Sequence, residues 1–295
     1  MRLFYCDHFA IPLPEQHRFP IEKYRLLRES IIKDGFWRLE PAIPAAVETI
    51  ALAHDPEYVA QFVKGTLSSS AMRRIGFPWS EGLVLRTLAS AGGTLAATRD
   101  AISTGFGGTL AGGTHHAFRT EGSGFCVFND VAIAIHALRP KRAAVVDLDV
   151  HQGDGTAHFF EHDPDVLTVS LHGVNNFPFR KQRSKIDVEL PDKTGDEEYM
   201  RALDSVLPRV VEFAPDIVFY LSGVDALASD VLGRLALTHE GLKARDARVI
   251  GECFQRKLPL VVTLGGGYSK PIELTVEAHA NTFRVAAQIY GESTG

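Results

Sequence analysis

Short apolar runs rich in β-branched residues alternate with longer helical segments along this chain, the pattern of a parallel sheet covered by helices on both faces. Strands are expected at 2–6, 108–111, 143–149, 166–171, 217–221 and 258–264. Near-continuous apolarity in Ala143-Ala144-Val145-Val146 and Leu258-Pro259-Leu260-Val261-Val262 suits strands buried on both sides. Helices are expected near 20–33, 56–65, 82–103, 129–138, 196–213, 239–256 and 271–290. Asn129 or Asp130 can cap the fourth, and Asp196 and Glu197 suit the positive end of the fifth. Without an internal repeat or a convincing linker, 1–295 reads as one α/β domain. Residues 66–80 and 175–185 read as polar surface loops, with Arg180, Lys181, Arg183 and Lys185 of the second solvated rather than gathered on a phosphate.

Composition removes several function classes. A hydrophobic fraction of 45% with 23% charged residues excludes a disordered chain. No run approaches the ~18 apolar residues of a membrane span. Asp7 and His8 interrupt the N-terminal apolar stretch, so a signal peptide is not expected. Three scattered cysteines without C-x-x-C leave no disulfide framework or zinc ribbon, and a reducing cytoplasm is the expected setting. With 31 Lys and Arg against 36 Asp and Glu, the net charge of −5 argues against a general nucleic-acid binder.

In a parallel sheet, ligands bind beyond the carboxyl ends of the strands. Here those ends are followed by Gly112-Gly113-Thr114-His115-His116, Asp149-Val150-His151-Gln152-Gly153-Asp154, His172-Gly173, Ser222-Gly223-Val224-Asp225 and Gly265-Gly266-Gly267-Tyr268. Glycine turns and His, Asp or Tyr thus converge on one edge. In Val145-Val146-Asp147-Leu148-Asp149-Val150-His151, residues two apart share a side, which puts Asp147, Asp149 and His151 together. Carboxylates closing an apolar run are costly to bury without a cation or donors. A helix cap accounts for one acid, not for two acids and a histidine in register.

Cysteine being unavailable, the expected ligands are Asp and His, with Asp225 as the further acid, although alone Asp225 reads equally as a cap. Three such ligands leave an open position for water, as in hydrolytic zinc sites, while iron, manganese or cobalt accept the same donors. The adjacent His115 and His116 suit a general base and acid, with Asp147 and Asp154 left to orient them. Gly265-Gly266-Gly267 allows close backbone approach and delivery of the Tyr268 hydroxyl to an oxyanion. No P-loop, dinucleotide fingerprint or G-x-S-x-G elbow competes. Cys126 has no mark of a nucleophile, and His136 reads as a core residue.

THHA (114–117), GFCVFND (124–130), DLDVHQGDGT (147–156), VSLH (169–172), SGVDA (222–226) and LGGGY (264–268) resemble the zinc-dependent histone deacetylase family, in its order and at its spacing. The resemblance implies the arginase-like α/β fold, with the active site at the C-terminal ends of the strands. It implies Asp149, His151 and Asp225 as zinc ligands, His115 and His116 as the catalytic pair backed by Asp147 and Asp154, and Tyr268 as the carbonyl-polarising hydroxyl. Gly124 and Phe125 resemble one wall of an acyl-lysine channel, with Phe177 as the other. Ser170 and Leu171, with Asp147, Asp149 and His151, resemble a structural potassium site. Gln152, HRFP (17–20) and LGRLALT (232–238) are more similar to the class IV and related bacterial branch. Residues 66–80 offer no acid for the rim position with which many relatives hold a peptide backbone.

The expected reaction is zinc-dependent hydrolysis of an N-acyl amide, on acyl-lysine of a protein or peptide. The alternatives are a small acylated amine such as an acetylpolyamine, and a non-catalytic acyl-lysine binding module. A two-metal arginase chemistry fits less well, because its paired metal motifs are missing.

Overall fold

The computed structural model describes residues 1–291. Its strands are β1 (Arg2–Tyr5), β2 (Arg38–Pro41), β3 (Phe106–Thr109), β4 (Ala143–Asp147), β5 (Val166–Gly173), β6 (Ile186–Leu190), β7 (Ile217–Leu221) and β8 (Leu260–Thr263). They form one parallel sheet in the order β2-β1-β3-β8-β7-β4-β5-β6. The most apolar strands are central because both their faces are covered. Every residue of β4, β7 and β8 is buried. Alternate residues feed two cores: Ala144, Val146, Val218 and Tyr220 on one face, and Ala143, Val145, Phe219 and Val261 on the other.

The first face is covered by α1 (Glu22–Asp34), α8 (Asp196–Phe213), α9 (His239–Gln255) and α10 (Ile272–Gly291). The second packs against α3 (Pro56–Lys64), α5 (Glu81–Thr104), α6 (Asp130–Leu138) and α7 (Asp154–Phe160). The expected helices all form, and so do the expected strands, 217–221 with the expected ends and the others with shifted ends. The 143–149 strand stops at Asp147, so Asp149 and His151 lie in the loop beyond it.

Several elements were not expected. β2 and β6 are the edge strands of the sheet, short and half-polar, and β2 ends in Pro41, which gives them almost no apolar signature. The short α2 (Val47–Ile50) and α7 are likewise additions. The expected loop at 66–80 contains α4 (Ser69–Ile75): Ser68 accepts the Ala71 N–H as its cap, and Gly76 closes it in the left-handed conformation. Serines that look like loop punctuation are there a helix start. No described helix is long and apolar enough to cross a membrane.

Candidate active site

The ends of β3, β4, β7 and β8 bring the predicted side chains together beneath a cavity of about 950 Å³, whose lining includes His115, His116, Asp149, His151 and Tyr268. After β3 the chain turns through Gly112 and Gly113, both with positive φ. A Cβ on Gly113 would lie 2.0 Å from the Leu264 carbonyl, so glycine is required for contact with the loop after β8. His115 and His116 follow. Asp130 anchors this turn, accepting the N–H groups of Gly113 (3.1 Å) and Thr114 (2.8 Å). Asn129 alone caps α6, through the Ala132 N–H.

Each histidine of the pair has its own carboxylate. His115 Nδ1 donates to Asp147 (2.7 Å) and His116 Nδ1 to Asp154 (2.6 Å), which leaves both Nε2 atoms for other chemistry. Burial opposes a charge on His115, but Asp147 and Asp149 outweigh it and raise its pKa to about 9. Burial, then the proximity of His115, lowers His116 to about 4.

Asp149, His151 and Asp225 are buried, with ligand atoms all within 4.8 Å of one another. His151 Nδ1 lies 3.0 Å from both Asp149 Oδ1 and Asp225 Oδ2. Against burial, hydrogen bonds to these acids push His151 up to about 10, and His115 and His151 hold Asp149 well below the usual carboxylate range. Burial and the neighbouring Asp149 push Asp225 up to about 7. Two buried carboxylates thus face one imidazole, and Asp149 opposes the ionisation of Asp225, a repulsion that a bound cation would relieve. One nitrogen and two carboxylates so placed fit a divalent cation. Neither aspartate is spent on a helix: Gly153 is the α7 cap, and Asp225 accepts the Val150 N–H (2.9 Å).

Tyr268 follows β8 and lines the same cavity, its N–H fixed by Asp230 (2.6 Å). Phe125 packs 6.3 Å from the Tyr268 ring, and Phe177 stands edge-on to His116 at 5.0 Å. Gly124 touches this wall too, since a Cβ there would lie 3.3 Å from Phe177 Cε1. Gln152 points away: its amide donates to the Gln182 carbonyl and Asp187 (both 2.8 Å) and pins the loop after β5. Lys181, expected to be solvated, instead donates to the Asn176 and Pro178 carbonyls and tightens that loop. Ser170 lies opposite Asp147 in the β4–β5 register, with its Oγ bonded to His172 (2.9 Å).

Residues 17–283 match the histone deacetylase domain. The chain belongs to the histone deacetylase family. An uncharacterised protein of Picosynechococcus sp. is 43% identical over 295 residues, 97% of this chain and 98% of that protein. Histone deacetylase 2 of Arabidopsis thaliana is 30% identical over 272 residues, 86% of this chain and 70% of the relative. The crystal structure of the HDA15 HD domain, 23% identical, superposes with a TM-score of 0.81 over 100% of this chain and 92% of that one, and shows a common fold. As a histone deacetylase family member the chain is an amide hydrolase, and its buried Asp–His–Asp group is able to bind a metal.

Sequence reasoning missed the supports of this candidate site. Lys23 of α1 is buried beneath the Gly-rich loop, donating to the Gly265 (3.3 Å) and Gly267 (3.4 Å) carbonyls. Burial lowers its pKa to about 8. Its spacing with Leu27 and Ile31, four and eight residues on, places it on the apolar stripe of α1, a signal that could have found it. Arg245 of α9, fully buried beside Asp246 (2.8 Å), donates to the Gly223 carbonyl (2.6 Å) behind Asp225. Arg245 carries no comparable sequence mark.

The close backbone approach read from Gly265-Gly266-Gly267 is realised at Gly266. Its N–H donates to Asp149 Oδ2 (2.5 Å), and a Cβ would lie 1.8 Å from Asp225 Oδ2. Gly266→Ala is expected to displace both acids at an overpacking cost of about 1–3 kcal/mol. Thermal melts with and without added zinc check this: the metal-induced rise in Tm should vanish, and an unchanged rise would contradict it.

Proposed function

We propose that the chain hydrolyses N-acyl amides of lysine side chains, with one zinc ion held by Asp149, His151 and Asp225. The observation that carries this reading is the meeting of that group, two His–Asp pairs and Tyr268 beneath one cavity, with His115, His116, Asp149, His151 and Tyr268 in its lining. When bound, zinc supplies a Lewis acid for the amide carbonyl and the attacking water. His115 and His116, oriented by Asp147 and Asp154, take the proton from water and return one to the departing amine. Tyr268 donates its hydroxyl to the oxyanion. Gly124, Phe125 and Phe177 form walls that a flexible acyl-lysine stem can thread.

The catalytic unit spans 1–295 as one domain, a reading supported by the single sheet that gathers every described strand. A structural potassium ion at Asp147, Asp149, His151, Ser170 and Leu171 is supported by the adjacency of Asp147 and Ser170. Three free, buried cysteines support a reducing cytoplasm as the working compartment.

Acyl-lysine peptides of increasing acyl length and acetylated polyamines, assayed on zinc-loaded protein, test the function. Release of carboxylate from at least one acyl-lysine peptide is expected. Turnover of polyamines alone moves the assignment to small acylated amines, and zinc binding without any turnover moves it to a binding module.

A further inference from the structure

The mouth of the cavity has a charge opposite to that of the chain. Exposed Arg18, Arg73, Arg74 and Arg234 line the opening, while the single carboxylate lining the cavity is Asp149, buried at its floor. Arg74 is paired with Glu121 (2.9 Å) and Arg234 with Asp192 (3.1 Å), both as solvent-exposed bridges. Arg18 and Arg73 meet no acid among the described residues. With a net charge of −5, such a gathering does not follow from composition.

A cation at the end of a helix is ordinarily explained by the helix dipole, and Arg73 and Arg74 do occupy the last turn of α4. The dipole does not account for Arg18, which precedes α1, or for Arg234, in the loop between β7 and α9. Three separate segments deliver guanidinium groups to one opening. Around a low-dielectric cavity, charges of one sign focus the field on whatever enters. The residues beside an acyl-lysine that has threaded the channel must lie against this rim.

From this we infer that the rim selects acyl-lysines flanked by aspartate or glutamate, and disfavours those in lysine- and arginine-rich segments. The inference rests on the acyl-lysine reading above and names its substrate class. Guanidinium pairs with carboxylates bidentately, so the acidic flank gains orientation as well as encounter rate. A polycationic acylated amine is disfavoured by the same field.

The test uses zinc-loaded enzyme and three acetyl-lysine peptides of equal length, with acidic, neutral or basic flanks. At low salt kcat/KM should fall from acidic to neutral to basic, with a roughly tenfold span, and the span should shrink at high salt as screening shortens the reach of exposed charges. The double variant Arg18→Glu/Arg73→Glu should cancel or invert the order. Arg209→Glu, which changes the net charge on the exposed side of α8, should preserve it. Equal rates, or preference for the basic peptide, would overturn the inference and leave deacylation standing. If no peptide is hydrolysed, the deacylase reading fails instead. Fluorescence anisotropy of the same labelled peptides then still decides the charge preference, with equal affinities counting against it.

Discussion

Replacing Tyr268 by phenylalanine is expected to lower kcat by about 10²–10³ while zinc content and KM stay near those of the parent enzyme. The substitution removes one oxygen and little else. The backbone N–H remains bonded to Asp230, the ring keeps its contact with Phe125, and Lys23 still lies 5.2 Å from the ring centroid. Burial, with Asp225 and Asp149 nearby, holds the phenol well above its ordinary pKa, so at neutral pH it is a donor. A donor aimed at an oxyanion contributes where charge develops, in the transition state rather than in the bound substrate. Steady-state kinetics on variant and parent with matched zinc content decide the matter. Turnover within a few-fold of the parent would remove Tyr268 from the mechanism.

Asp225→Asn is expected to weaken zinc binding by about two orders of magnitude or more and to abolish measurable turnover. Asparagine keeps the volume and can still accept the Val150 N–H, so the loop after β7 retains its bond. What disappears is one of two buried carboxylates around His151. In the metal-free protein that carboxylate is costly, since burial and Asp149 both oppose its ionisation. The metal-free variant should therefore melt no lower than the metal-free parent. Added zinc should stabilise only the parent, by about 2.7 kcal/mol at a hundredfold excess over Kd. Equal zinc-induced shifts in the two proteins would exclude Asp225 as a ligand.

Tyr268, and the Asp149 and His151 that Asp225 joins, are visible in the sequence for a local reason, whereas Asp225 alone reads equally as a helix cap. Asp149 and His151 are separated by one residue just beyond a wholly buried strand whose first four residues are apolar, and Tyr268 ends a glycine run. The supports are different. Lys23 and Gly265 are 242 positions apart, and Arg245 and Gly223 belong to different elements. Edge strands β2 and β6 escaped for a related reason: half their residues face outwards, and their strand character comes from a single neighbour. At α4, Ser68 and Gly76 are ordinary loop residues until the backbone between them closes.

The sequence by itself determined the sheet class, the chemistry-bearing edge and the identities of the Asp, His and Tyr residues on it. Period-two patterning and strand-end motifs depend only on neighbours along the chain. Only the tertiary structure decided that Asp225 meets His151 rather than capping a helix, that Lys23 is buried under the Gly-rich loop, and that arginines from three segments share one opening. Those outcomes depend on distances between segments far apart in sequence, which are set when the two apolar faces of the sheet are covered.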